Sequence, residues 1–257
     1  MEKVDVQREF RRHRIGRLEA ARRRPVSVAP GEPLSVATTL MLEHDFTQLP
    51  VTQGDRTLKG IISWKSIGKR HTFGQPMKLV QDAMGRPEEA SVEDSLFDVI
   101  PRIADHDCVI VRDETNLISG IVTSYDISIE LRRFGEPYWR LEDLENFLRA
   151  LVEVHYTPDD FAAVARGQHG GDALTSVDKL SFGDYVALFE NPERWARLNA
   201  ALDRATFTRE LKRANEVRNR LMHFRNSDIT AEEREFLLTF SRFVGQLARA
   251  RAGDELA

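Results

Sequence analysis

The sequence contains a single cysteine, Cys108, in 257 residues. One cysteine cannot form an intrachain disulfide, and it cannot supply the several thiolates of a cysteine-based zinc site. Long apolar runs are missing as well, since no stretch approaches the ~20 apolar residues that a membrane-spanning helix needs. Residues 1–24 also lack the apolar core of a secretory signal. These absences favour a cytoplasmic protein with no membrane anchor and no disulfide framework.

Positive charge is concentrated at the start of the chain. The net charge is −4, yet residues 1–24 carry nine basic and four acidic side chains, so this segment alone is +5. We expect residues 1–25 to form a basic N-terminal helix or leader. Such a segment suits contact with the phosphates of RNA or of a nucleotide, but it is equally typical of a solvated helix.

Residues 26–67 and 87–127 look like two copies of one unit. In each copy a short β-prone run precedes an amphipathic helix and two further strands, with sequences QLPVT and KGIIS in the first copy, CVIV and SGIVT in the second. The apolar positions of the two helices are Leu34, Ala37, Leu40 and Met41, then Leu96, Val99, Ile100 and Ile103. Gly60 and Gly120, which open the matching GIIS and GIVT segments, lie sixty residues apart. The repeat predicts paired βαββα units that share a core.

The segments LPV…GIIS with Ser66, and VIV…GIVT with Asp126, resemble the CBS domain, which occurs in tandem pairs. The resemblance covers residues 26–132 and implies an α+β pair that binds an adenosine nucleotide (ATP, ADP or AMP) and regulates an attached module. In that family the hydroxyl residue after the glycine strand contacts phosphate, and the acid three residues later holds the ribose hydroxyls. The matching residues are Thr123 and Asp126 in the second repeat, and Ser63 and Ser66 in the first. Because Ser66 replaces the acid, we expect the first site to be weaker or to differ in specificity.

Thr123 and Asp126 also have a simpler interpretation. A helix that begins after Thr123 presents unpaired N–H groups to a phosphate, and a carboxylate one turn later can accept hydrogen bonds from a ribose diol. The same T-S-Y-D spacing is a variant of the capping box, in which Thr123 is the N-cap and Asp126 reaches back to the helix start. Nucleotide binding and helix capping therefore both remain open.

The character of the sequence changes after Ile127. The segment 130–137 contains Gly135 and Pro137 and predicts a domain boundary. Beyond it the apolar spacing is helical, and we expect five helices, the last of which opens with a capping box of Thr230 and Glu233. The predicted fold class is thus an α+β tandem CBS pair followed by an all-α helical bundle. The bundle is assigned to residues 137–250 and a tail to residues 251–257.

A polar motif lies late in this second region. Arg218 and Asn219 are followed by His223, and this R-x4-H pattern, with one helix still to come, resembles the HEPN domain family. The resemblance implies a metal-independent ribonuclease in which two protomers of a homodimer bring their motifs together on RNA. It assigns Arg218, Asn219 and His223 as catalytic residues. Other members of that family are non-catalytic nucleotide- or protein-binding modules.

The chemistry of the motif is compatible with RNA cleavage. On an α-helix Asn219 and His223 lie ~40° apart and share a face, and the long side chain of Arg218 can reach the same side. Histidine exchanges protons near neutral pH, an arginine fork stabilises charge on a phosphate, and Glu216 is a candidate to orient an arginine. Alternatively, these residues form only the basic end of a helix, which the helix dipole favours.

Two functional hypotheses follow from the two resemblances. In the first, a nucleotide bound to the CBS-like pair controls a ribonuclease in the helical domain. In the second, the protein is a non-catalytic nucleotide sensor whose helical domain mediates dimerisation or partner binding. The remaining histidines show no metal-ligand spacing, and we expect no metal requirement.

Overall fold

The computed structural model describes residues 13–165, 176–222 and 229–252. The chain divides into two compact units between Arg132 and Arg133. The first unit is α+β, whereas the described residues of the second unit form helices and no strand. Within the described ranges, no helix has both the length and the apolar character to cross a membrane.

The described residues of the first unit form five strands and a series of short helices. The strands are β1 (Gln48–Gln53), β2 (Thr57–Ser63), β3 (Glu89–Ser91), β4 (Cys108–Arg112) and β5 (Ile118–Thr123). The helices are α1 (Glu19–Arg22), α2 (Leu34–Glu43), α3 (Trp64–Thr72), α4 (Val80–Ala83) and α5 (Leu96–His106), preceded by a 3-10 turn at Ile15–Arg17.

The predicted internal repeat is confirmed at the level of residue pairs. The hairpins β1–β2 and β4–β5 are both antiparallel, and each has a bulge directly after an equivalent valine–glycine pair. These pairs are Val51 with Gly60 and Val111 with Gly120. Strand β3 pairs in parallel with β4, and in the first repeat the equivalent position is a single parallel bridge from Val28 to Val51.

Glycine at the repeated position has a steric cause. A Cβ on Gly120 would collide with the backbone of Ala20 and Ala21, lying 2.6 Å from the Cα of Ala21. A Cβ on Gly60 would lie 2.8 Å from Met84 Sδ and 2.9 Å from the carbonyl oxygen of Gly85. In both repeats the strand therefore lies directly against another chain segment, at a distance that only glycine allows.

The N-terminal segment differs from the predicted basic leader over residues 1–25. Ile15, Leu18 and Ala21 are buried in the core of the second repeat. The backbone N–H groups of Ile15 and Gly16 donate to the carbonyl oxygens of Asp94 (2.9 Å) and Val92 (3.0 Å). These three apolar residues, spaced three apart, form a buried stripe. The many arginines around them make the segment look like an exposed basic helix in the sequence. Residues 1–12 lie outside the described residues.

The second unit contains six α-helices in its described residues, of which the first begins before the unit boundary. They are α6 (Ser124–His155), α7 (Pro158–Ala165), α8 (Phe182–Glu190), α9 (Pro192–Arg197), α10 (Arg204–Met222) and α11 (Ala231–Ala252), with a 3-10 turn at Val177–Lys179. The number exceeds five because the segment around Asn191 forms two helices. The Asn191 side chain caps the second of them by accepting from the N–H of Arg194 (3.0 Å). Large side chains such as Phe182, Tyr185 and Phe189 fill the core.

Helix α6 continues through Gly135 and Pro137, where the sequence predicts a break. Proline in a helix removes one hydrogen bond and leaves the carbonyl four residues earlier without its usual donor. That carbonyl belongs to Arg133, and it accepts a hydrogen bond from Nη1 of Arg234 at 2.7 Å. A tertiary contact thus replaces the missing backbone bond, which is one way in which helices accommodate proline.

The predicted start of α11 is confirmed. The N–H of Thr230 donates to Glu233 Oε2 (2.9 Å), and the N–H of Glu233 donates to Thr230 Oγ1 (3.1 Å). This reciprocal pair is the capping box expected from the sequence.

Candidate functional site

In the second repeat, Thr123 ends β5 and Asp126 lies in the first turn of α6. Oδ2 of Asp126 accepts two hydrogen bonds, from the N–H of Thr123 (2.8 Å) and from its hydroxyl (2.7 Å). The part of the capping interpretation in which Asp126 reaches back to the helix start is therefore present in the structure. The other carboxylate oxygen, Oδ1, accepts no hydrogen bond from the part of the chain that the structure describes.

In the first repeat, Ser63 and Ser66 occupy the equivalent positions at the start of α3. Ser63 Oγ accepts from the N–H of Ser66 (3.0 Å), and Ser66 Oγ accepts from the N–H of Ser63 (3.0 Å). The Ser66 hydroxyl also donates to the carbonyl oxygen of Ser63 (3.0 Å). The single side-chain donor of Ser66 is thus used within the cap, and the Ser66 side chain offers a ligand no charged acceptor.

The two strand–helix junctions consequently differ in what they offer a ligand. Each caps its own helix, but only the junction with Asp126 retains an ionised oxygen without a donor. A carboxylate has about four acceptor positions, so helix capping through Oδ2 leaves Oδ1 available to a diol. Capping and ligand binding are compatible at Asp126, whereas Ser66 has little capacity beyond the cap.

In the second unit, Arg218 and Asn219 lie near the end of the described part of α10. Arg218 is half-buried, and its Nη2 lies 4.0 Å from Oε2 of Glu145 on α6. Nη1 of Arg218 donates to Oδ1 of Asn219 (3.3 Å), so these two motif residues are in contact. Glu216, the residue predicted as a partner for an arginine, is exposed. His223 lies outside the described residues.

Sequence reasoning missed the polar neighbours of Arg218. Oε1 of Glu145 lies 3.5 Å from Nη2 of Arg149, one turn further along α6, so the Glu145 carboxylate faces two guanidinium groups. The Tyr185 side chain, on α8, is fully buried and interacts with Arg149. An i, i+4 pair of glutamate and arginine is usually a surface ion pair, so the sequence contains no signal that this pair faces Arg218.

No metal site accompanies either candidate in the portion of the chain that the structure describes. There, no group of three or more histidine, cysteine, aspartate or glutamate side chains is arranged to hold a metal ion.

Comparison with known families assigns the first unit. The CBS domain model matches residues 15–69 and 80–133. The matched segments lie in the first unit, which is therefore similar to a tandem pair of CBS domains. The match begins at residue 15 and so includes the N-terminal segment that packs on the second repeat. Comparison with curated proteins gives no match.

Several solved structures are similar to the CBS pair. A CBS domain-containing protein of unknown function from Bacillus anthracis is 21% identical, covers 49% of this chain and 97% of its own, and has a TM-score of 0.40. The CBS domain of a bacterial CNNM/CorC family Mg2+ transporter, in complex with ATP, is 17% identical, with coverages of 49% and 91% and a TM-score of 0.41. A CBS domain pair in complex with 5′-methylthioadenosine and S-adenosyl-L-methionine is 24% identical, with coverages of 44% and 98% and a TM-score of 0.39.

Proposed function

We propose that the CBS pair binds an adenosine nucleotide and that its occupancy regulates the helical unit. The hydrogen bonding of the Asp126 carboxylate supports this proposal. Its Oδ2 caps α6, and its Oδ1 is available to a ligand. In the proposed complex, Oδ1 accepts hydrogen bonds from the ribose hydroxyls. The N–H groups at the start of α6, next to Thr123, face a phosphate. Ionised acceptors form hydrogen bonds roughly twice as strong as neutral ones, so this oxygen contributes strongly to affinity.

The first repeat plays a lesser part in this proposal. Ser66 presents a neutral hydroxyl whose donor is already bound to the carbonyl oxygen of Ser63. We therefore propose one strong nucleotide site, at Thr123 and Asp126, and a weak site or one of different specificity at Ser63 and Ser66.

Calorimetric titration of the full chain with ATP, ADP and AMP tests the nucleotide site. Asp126→Asn keeps an oxygen that can cap the helix but replaces the second oxygen by an amide donor. We expect this variant to lose about 10- to 100-fold in affinity, the equivalent of about 1.5–3 kcal/mol for a hydrogen bond to a charged group. Asp98→Asn is the matched control, because Asp98 is an exposed aspartate in the first turn of α5. Equal affinities of the two variants would contradict the assignment.

We further propose that the regulated activity is that of a HEPN-type, metal-independent endoribonuclease acting as a homodimer. The proposed catalytic residues are Arg218, Asn219 and His223. Support comes from the R-x4-H motif and from Arg218, whose guanidinium is half-buried beside Glu145 and in contact with Asn219. A second protomer would double the set of one arginine and one histidine, which is small for acid–base catalysis of phosphodiester cleavage.

Cleavage of single-stranded RNA in the presence of EDTA tests this part of the proposal, with and without each nucleotide. We expect Arg218→Lys and His223→Ala to reduce the rate by at least about 100-fold, the scale on which acid–base and charge-stabilising groups act. Arg209→Gln, an exposed arginine on the same helix, is the control and retains activity. If the wild-type dimer cleaves no RNA with any nucleotide, the alternative applies, namely a non-catalytic sensor whose helical unit binds a partner.

A further inference from the structure

Three side chains on three helices of the second unit have buried polar atoms that lack a hydrogen-bond partner. They are Nε of Arg149 on α6, the hydroxyl of Tyr185 on α8 and Nε of Arg218 on α10, with no partner among the described residues. Buried polar groups in native proteins are usually paired, because an unpaired one has lost its water and gained nothing in return. Three such donors in one neighbourhood therefore need an explanation.

The three side chains are linked through Glu145. The Glu145 carboxylate lies 3.5 Å from Arg149 and 4.0 Å from Arg218, on its two different oxygens. The Tyr185 hydroxyl lies beside the Arg149 guanidinium, and its interaction with that group raises the pKa of Arg149. The contact is too loose to satisfy the Tyr185 hydroxyl or Nε of Arg149 as hydrogen-bonding groups. Burial raises the pKa of Tyr185 despite Arg149, so its hydroxyl is protonated at neutral pH and available as a donor.

The cluster carries an excess of positive charge. Two guanidinium groups share the single carboxylate of Glu145, which leaves one positive charge unbalanced. Asp178 lies 4.0 Å from Arg149, but its side chain is 76% exposed, so water and salt screen its contribution. A half-buried site with surplus positive charge and unpaired donors suits an anion that has several acceptor oxygens.

We propose that Arg149, Tyr185 and Arg218 bind a phosphate group, supplied by an RNA backbone or by a free phosphate. Each of the three side chains offers an unpaired donor, and a tetrahedral phosphate presents oxygens in several directions at once. Glu145, which lies within 4.0 Å of both arginines, positions them. The proposal deepens the proposed ribonuclease, because Arg218 belongs to both, but it concerns binding alone.

The test measures binding to the full chain without cleavage. The probes are a uridine oligonucleotide with 2′-O-methyl riboses, which lacks the attacking hydroxyl and any adenosine, and inorganic phosphate as its competitor. We expect Arg149→Gln to weaken oligonucleotide binding about tenfold and Tyr185→Phe about fivefold, as for the loss of a charged and a neutral hydrogen bond. Tyr185→Phe removes one oxygen and keeps the ring that fills the core, so the fold is retained.

Two controls match these variants. Arg209→Gln removes the charge of an exposed arginine. Tyr156→Phe removes the hydroxyl of a buried tyrosine that donates to the carbonyl oxygen of Arg194 (3.2 Å). Both controls are expected to bind within about twofold of the wild type, because neither side chain belongs to the proposed site.

The outcomes separate the phosphate source and the two proposals. Oligonucleotide binding that phosphate displaces identifies a backbone phosphate as the ligand, whereas phosphate binding without oligonucleotide binding identifies the free anion. Either result, if sensitive to Arg149 and Tyr185, supports the site. Equal affinities of the test and control variants for both probes would overturn it. Binding without cleavage of ordinary RNA would leave this site intact and refute the ribonuclease.

Discussion

Asp160, in the first turn of α7, is a buried acid whose carboxylate accepts four hydrogen bonds, and its removal is expected to be costly. The residue is 7% exposed. Its carboxylate accepts from the N–H and the hydroxyl of Thr157 (both 3.0 Å), from Nε of Arg194 (3.1 Å) and from Nη1 of Arg197 (2.6 Å). Burial raises the pKa of Asp160, but these hydrogen bonds outweigh it and lower the pKa to about 2.

The magnitude follows from linkage. A shift from 3.8 to about 2 corresponds to roughly 2 kcal/mol of stability at neutral pH, at about 1.4 kcal/mol per pKa unit. Asp160→Asn also leaves Arg194, which is largely buried, without its ionic partner. Breaking a buried ion pair costs about 3–5 kcal/mol, and the partial exposure of Arg197 reduces that figure. We therefore expect Asp160→Asn to lower the free energy of unfolding by about 2–3 kcal/mol at pH 7.

The direction of the pKa shift determines how the stabilisation by Asp160 changes with pH. Since the folded state has the lower pKa, the contribution is fully present above about pH 4 and is lost as the pH falls towards 2. Urea unfolding, followed by circular dichroism and by tryptophan fluorescence, measures the difference between wild type and variant at several pH values. Asp159→Asn is the control, because Asp159 is the exposed neighbour in the same helical turn. A difference that stays constant between pH 5 and pH 2.5, or an equal loss in the control, would refute the reasoning.

Two further predictions concern the CBS pair. Gly120→Ala is expected to lower the free energy of unfolding by about 2–3 kcal/mol or more, because its Cβ would overlap backbone atoms of Ala20 and Ala21. Gly31→Ala, which meets no atom within 4 Å, is expected to change it by less than about 0.5 kcal/mol in the same thermal unfolding assay. Cys108 is 3% exposed, and burial, followed by the charge of Asp107, raises its pKa to about 12. We expect no thiol modification of the native protein at pH 8 and complete modification in urea; rapid native labelling would show that β4 is accessible.

The internal repeat was predictable because its signal is local. The alternating strands around Gly60 and Gly120 and the capping box at Thr230 depend on residues close together in sequence, and they occur in the structure as expected. The features that the sequence did not predict depend on contacts between distant residues. Helix α6 passes through Pro137 because Arg234, about a hundred residues later, supplies the missing donor.

The candidate sites also differ in whether their contacts are local or distant in the sequence. The pairing of Thr123 with Asp126 follows from a spacing of three residues, and the structure contains it. The contact between Arg218 and Glu145 joins two helices more than seventy residues apart, and neither helix shows a pattern that indicates it. The motif in the sequence predicts a site at Arg218 and offers Glu216 as a candidate to orient an arginine, whereas the acid that lies 4.0 Å from Arg218 is Glu145.

The position of the N-terminal segment has a consequence for folding during synthesis. Ile15, Leu18 and Ala21 leave the ribosome early, yet the core that buries them contains Val92, Val109 and Val122. Roughly a hundred residues must be synthesised before this segment meets its partners, and contacts of such high sequence separation form slowly because the loop must first close. The core of the first repeat can form as soon as residues 28–84 have been synthesised, since it consists of residues between Val28 and Met84. The repeat synthesised first is thus self-contained, while the second is completed by the residues that were made before either.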